Sequence, residues 1–76
     1  MKELTHYLFS VNMPYSECES LYLGQVKHVV VTADTGERIQ VPSINVRKFV
    51  DTRGLVGRFR LTVDDKHKIQ ALVRIA

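Results

Sequence analysis

Between Arg47 and Arg60 the chain places Arg47, Lys48, Arg53, Arg58 and Arg60, with Asp51 the one acid in the span. Guanidinium groups at this density suit phosphate, because the planar fork donates paired hydrogen bonds to an anion's oxygens. Arg74, near the C-terminus, belongs to the same inventory. A nucleic-acid or other anion contact through Arg47, Lys48, Arg53, Arg58, Arg60 and Arg74 is therefore one functional reading. Its bland counterpart is a solvated strand face whose arginines pair with Asp51 or Glu37. No aromatic side chain is predicted on that face to stack bases. No tract resembles the aromatic signature of an RNA-recognition motif.

The other reactive groups are scattered. His6, His28 and His67 fall on a strand start, a strand and a turn, and Cys18 is the lone thiol. No pair has the close spacing of a zinc site, so no metal is expected. Cys18 on the inner face of a helix reads as a small buried hydrophobe. Glu17 and Glu19 suit a helix start, and Asp64 and Asp65 suit a tight turn. Ser16 and Ser20 lack a nucleophile-elbow context. Gly54-Leu55-Val56-Gly57 lacks the lysine and hydroxyl ending of a phosphate loop and precedes a strand. A chain this short rarely holds both a core and a deep cleft. The expectation is a non-enzymatic protein without a cofactor.

These side chains are positioned by elements whose phase is visible in the sequence. Tyr7, Phe9, Val11 and Met13 alternate with His6, Leu8, Ser10 and Asn12, which predicts a strand with Leu8 as an apolar exception on its outer side. A short helix follows from about Pro14 to Leu23, with Tyr15, Cys18, Leu21 and Tyr22 on one face and Gly24 as its stop. Val26 to Ala33 is the second strand. A two-residue loop of Thr35-Gly36 would mix its polar and apolar sides. The three-residue loop Asp34-Thr35-Gly36 sorts them, setting Val31 opposite Ile39 and Val29 opposite Val41. It also puts Gly36 where a left-handed residue is needed. His28, Val30, Thr32, Arg38 and Gln40 then face outward. Pro42 ends the third strand.

Asn45 to Val50 reads as one or two helical turns capped by Asn45, with Val46, Phe49 and Val50 inward. In the last hairpin Phe59, Leu61 and Val63 face the core. Pairing Asp64 with Lys68 aligns them with Ile69, Ala71, Val73 and Ile75, and puts His67 at the left-handed position. That register sets Arg58 opposite Arg74, with Arg60 beside them. Like charges so opposed weaken a sheet unless something neutralises them. Leu72 would point outward, as Leu8 and Val30 do. Leu8, Val30 and Leu72 are the candidate surface for a protein partner or a second copy of the chain.

The whole chain of 76 residues, 1–76, is expected to form a single domain. Its 45% apolar content is that of a folded protein, and its net charge of +3 is compatible with a polyanion without demanding one. No apolar run approaches a membrane span, so no membrane partner is expected. Met1-Lys2-Glu3-Leu4-Thr5-His6 reads as a mature start, and the single cysteine fits a reducing cytoplasm. The expected fold is mainly β with two short helices, an α+β domain. Its five antiparallel strands would form a curved sheet or small SH3-like barrel, with an OB-like arrangement as the alternative.

Val29-Val30-Val31, Thr35-Gly36-Glu37-Arg38-Ile39-Gln40-Val41-Pro42, Arg47-Lys48-Phe49-Val50 and Gly54-Leu55-Val56-Gly57-Arg58-Phe59-Arg60-Leu61 occur in that order. With the tyrosine-rich opening and the helix ending Tyr22-Leu23-Gly24, this pattern resembles the domain-of-unknown-function family numbered 2835, found mainly in gamma-proteobacteria. The resemblance covers nearly the whole chain. It implies a stand-alone bacterial protein and supplies no activity or site. The leading functional expectation is a cytoplasmic adaptor acting through a sheet face or edge. Anion binding by the arginines is the alternative.

Overall fold

The structure, a computed structural model, describes residues 3–76. Met1, Lys2 and the side chain of Tyr22 lie outside the described residues, and the expectations placed on them with them. The fold class is mainly β with two short helices, and all strand pairing is antiparallel. The strands are β1 (Thr5–Pro14), β2 (His28–Thr32), β3 (Arg38–Pro42), β4 (Gly54–Val63) and β5 (Ile69–Arg74). Helices α1 (Glu19–Tyr22) and α2 (Ser43–Arg47) interrupt them. One sheet has the order β1-β4-β5 and the other is the β2-β3 hairpin. They meet at an antiparallel bridge between Phe9 and Ala33, beside which the Asp34 N–H donates to the Leu8 carbonyl at 2.8 Å.

The alternation in β1 and β4 determines what fills the space between the sheets. Phe9 stands opposite Phe59 and Met13 opposite Leu55, so one face of this pair is continuously apolar. The Phe9 and Phe59 rings stack at 5.6 Å, and Phe49 meets Phe59 edge-on at 5.2 Å. Leu21, Val31, Val41, Val46, Leu61 and Val63 complete one contiguous core. Gly54 is required where β4 begins. Its φ of +108° and a would-be Cβ only 2.1 Å from the Met13 carbonyl oxygen leave no room for a side chain.

The first hairpin has the expected register. Val31 faces Ile39, Val29 faces Val41, and Gly36 closes the three-residue loop at φ +94°. The helices differ from expectation at their ends. The segment after Pro14 is a 3-10 turn, Tyr15–Glu17, followed by α1. Cys18 and Leu21 are buried as expected, whereas Tyr15 is exposed because the break before α1 rotates it off the inner face. α2 starts at Ser43 and is capped by Pro42, not Asn45. The Ser43 hydroxyl donates to the Val26 carbonyl at 2.6 Å and its N–H to the Lys27 carbonyl at 2.9 Å. This long-range anchoring sets the helix start two residues early.

The second hairpin corrects the sequence reading. Its turn is as expected: Asp64 N–H donates to the Lys68 carbonyl at 2.9 Å, and His67 has φ 62°. Val63 faces Ile69, but Thr62 then faces Ala71 and Leu61 faces Leu72. Gln70 is an extra residue, a β-bulge. Its side-chain amide donates to Asp64 Oδ2 at 3.1 Å. A one-residue shift exchanges the faces beyond it. Leu72 therefore enters the core at 7% exposure, while Val73 and Ile75 turn outward. Arg74 moves to the core side opposite Phe59, so it does not oppose Arg58. Arg58 instead exchanges backbone hydrogen bonds with Ile75 and Ala76.

A candidate binding groove between the sheets

The basic residues are dispersed by the fold. Arg58, on the outer face of β4, donates to Asp34 in the first hairpin loop at 2.6 Å and to Ser10 Oγ on β1 at 2.8 Å. Hydrogen bonding and the nearby guanidinium charge hold the Asp34 carboxyl below its usual range and raise Arg58 in turn. This latch joins the hairpin to the larger sheet. Arg53 pairs with Asp51 at 3.1 Å inside one turn, and that hydrogen bond likewise lowers Asp51.

Arg74 lies over the rings of Phe49 and Phe59 and donates to the carbonyls of Phe49 and Val56. Its guanidinium covers the two rings from the solvent side and satisfies two backbone acceptors. Lys48 sits over the Phe49 ring at 5.3 Å. Arg47 is half-buried on α2, and Arg60 is exposed between Leu8 and Val73 on the outer sheet face. Among the described residues neither Arg47 nor Arg60 makes an ion pair. The six cations thus divide among α2, a turn, the outer face of β4 and the aromatic core edge. The three apolar candidates divide as well: Leu8 and Val30 are exposed on different sheets, and Leu72 is interior.

What the fold brings together was not evident from residue spacing. A groove of about 680 Å³ lies between β3 and the turn leading into β5. Its floor is apolar: Tyr7 from β1, Ile39 from β3, Leu61 and Val63 from β4, and Ile69 from β5. Its rim carries His28, Glu37, Arg38, Gln40, Asn45, His67 and Lys68. Among the described residues β3 pairs on one side only, with β2, and β5 on one side only, with β4. The groove is the gap between those strands.

The backbone of β3 presents hydrogen-bonding groups to this gap. Ala33 N–H donates to the Glu37 carbonyl at 2.8 Å, and Ser43 N–H to that of Lys27 at 2.9 Å. Antiparallel ladders alternate between bonded and non-bonded pairs. Glu37, Ile39, Val41 and Ser43 therefore turn their backbone groups toward β2. Arg38 and Gln40 turn theirs away from it, and Pro42, without an N–H, ends the series. The sequence signals for this site were faint: an outward pair, Arg38 and Gln40, on a strand stopped by proline.

Within the groove no hydrogen bond joins Glu37 to His28 or His67 among the described residues, and no set of three histidine, cysteine, aspartate or glutamate side chains converges on one point. Cys18 is fully buried, its Sγ 3.5 Å from the Pro14 carbonyl oxygen. No helix among the described residues is long and apolar enough to cross a membrane.

Two short helices, paired antiparallel strands and an open seam define a small mainly β protein. The chain belongs to the family described as "Protein of unknown function (DUF2835)", whose pattern matches residues 5–75. No curated protein and no solved structure matches it.

Proposed function

We propose that the protein is a non-enzymatic binding module that takes an extended segment of another protein onto the free edge of β3. The observation that carries this reading is the outward-facing backbone of Arg38 and Gln40 beside an apolar floor. Strand addition needs those two things: main-chain groups for affinity and a lined trough for alternate side chains. The anion-binding reading is supported less, because Arg53, Arg58 and Arg74 already donate to acceptors within the fold. The single buried thiol accords with a cytoplasmic setting.

The test is selection of linear peptides from a random library on the purified protein, followed by amide hydrogen exchange of the complex. Bound peptide is expected to slow exchange at Arg38 and Gln40. Gln40→Pro deletes an N–H that the β2 ladder does not use, so this variant should keep the fold and lose the peptide. Peptides that protect neither amide, or a Gln40→Pro protein that binds them unchanged, would refute the reading.

A further inference from the structure

We infer that the segment taken by this groove is acidic, with apolar residues at alternate positions. This rests on the proposed strand addition to β3. In an extended segment successive side chains point to opposite faces, so every second one would meet the floor of Ile39, Leu61 and Val63. The side chains between them would lie along the rim. That rim carries two cations, Arg38 and Lys68, against one carboxylate, Glu37. Two further carboxylates are close to it in the chain: Asp65, exposed in the turn but not among the lining residues, and Asp64, turned inward at 3% exposure. One Asp64 oxygen accepts from the N–H groups of Lys66 and Lys68, and the other from the Gln70 amide. Asp64 is held by the turn and does not face an incoming strand.

Arg38 and Lys68 have no ion-pair partner among the described residues, whereas Arg58 and Arg53 do. Arg47 and Arg60 are unpaired among these residues too, but on α2 and on the outer face of β4; at the groove the unpaired cations lie beside an apolar floor. A second copy of the chain fits this rim poorly. In self-pairing of β3 centred on Arg38 the two guanidinium groups would be opposed, which is unfavourable. Centred on Ile39, each Arg38 would meet the uncharged Gln40 and gain no ion-pair partner. Glutamate or aspartate at the rim positions answers the charge instead, and it steers approach as well as binding.

Fluorescein-labelled peptides of alternating valine with glutamate, with glutamine or with lysine separate the alternatives by fluorescence polarisation at low salt. The glutamate peptide is expected to bind about tenfold more tightly than the glutamine peptide, and the gap should close in high salt. Arg38→Glu with Lys68→Glu should invert the order so that the lysine peptide binds best, with the circular dichroism spectrum unchanged. Equal binding of the glutamate and glutamine peptides would overturn the acidic preference and leave strand addition standing. Failure of all three peptides to bind would overturn both.

Discussion

The two hairpins are built from similar parts and behave differently. Each closes with a loop whose last residue is left-handed, Gly36 in one and His67 in the other. Each sends alternate apolar residues inward. In β2-β3 the alternation runs unbroken from the turn to Pro42. In β4-β5 it lasts one pair beyond the turn before Gln70 shifts it. Turn chemistry is local and sets register at the point where it acts. A bulge changes the partner of every residue after it. The lesson is that a correct turn does not guarantee a correct strand.

Deletions are the severest way to break this comparison. Removing Val30 would rotate Val29 out of the core and His28 into it. Val29 is half-buried, so its loss costs less than the ~1.5–3 kcal/mol of a fully buried valine, and unsatisfied imidazole polar groups would add to it. The expected outcome is the disappearance of a cooperative denaturant transition. Removing Gln70 would instead leave Ile69 opposite Val63, Ala71 opposite Thr62 and Leu72 opposite Leu61, a regular ladder. That variant should fold, losing about 1 kcal/mol with the hydrogen bond to Asp64. If both deletions are equally damaging, the bulge is not where we place it.

Point substitutions sharpen the same contrast with a smaller effect. Leu72→Ala should cost about 2–4 kcal/mol in urea denaturation, and Val73→Ala about 0.5 kcal/mol or less. The unbulged register would reverse that order.

The smallest expected effect concerns the latch between the hairpin and the larger sheet. The Asp34 carboxyl titrates below its ordinary value of 3.8 because Arg58 hydrogen-bonds it. Its contribution is therefore present above the unfolded-state value and is lost as pH falls through the lowered one. Thermal midpoints measured downward from pH 5 should decline less steeply in Asp34→Asn than in the parent protein. Both groups are largely solvated, so the difference should be slight. Asp51 contributes in the same direction through Arg53, but within one turn, and so does not join the two sheets.

How far the sequence reached follows the range of the interactions involved. The strand faces of β1 and β4, the first hairpin, both loops and the burial of Cys18, Leu21 and Val46 were legible, since each depends on periodicity or on a residue's own backbone preference. The start of α2 was not, because Ser43 is anchored by Val26 and Lys27 from another element. The roles of Arg58 and Arg74 were hidden for the same reason: their partners, Asp34, Phe49 and Val56, lie far along the chain. Of the candidate site, Arg38 and Gln40 were correctly read as outward-facing. Their place beside Lys68 could not be read without knowing that β1 pairs with β4 and leaves β3 and β5 unjoined.

An unpaired strand edge also invites molecules to stack into fibrils. Dry zippers between stacked strands need uninterrupted segments of about six or seven residues. β3 has five, and its last is Pro42, which cannot donate to a neighbour. The exposed border of β5 is broken by its surplus residue, Gln70. Pro42 and Gln70 thus shorten the run of regular strand that a stacking neighbour could follow along either border.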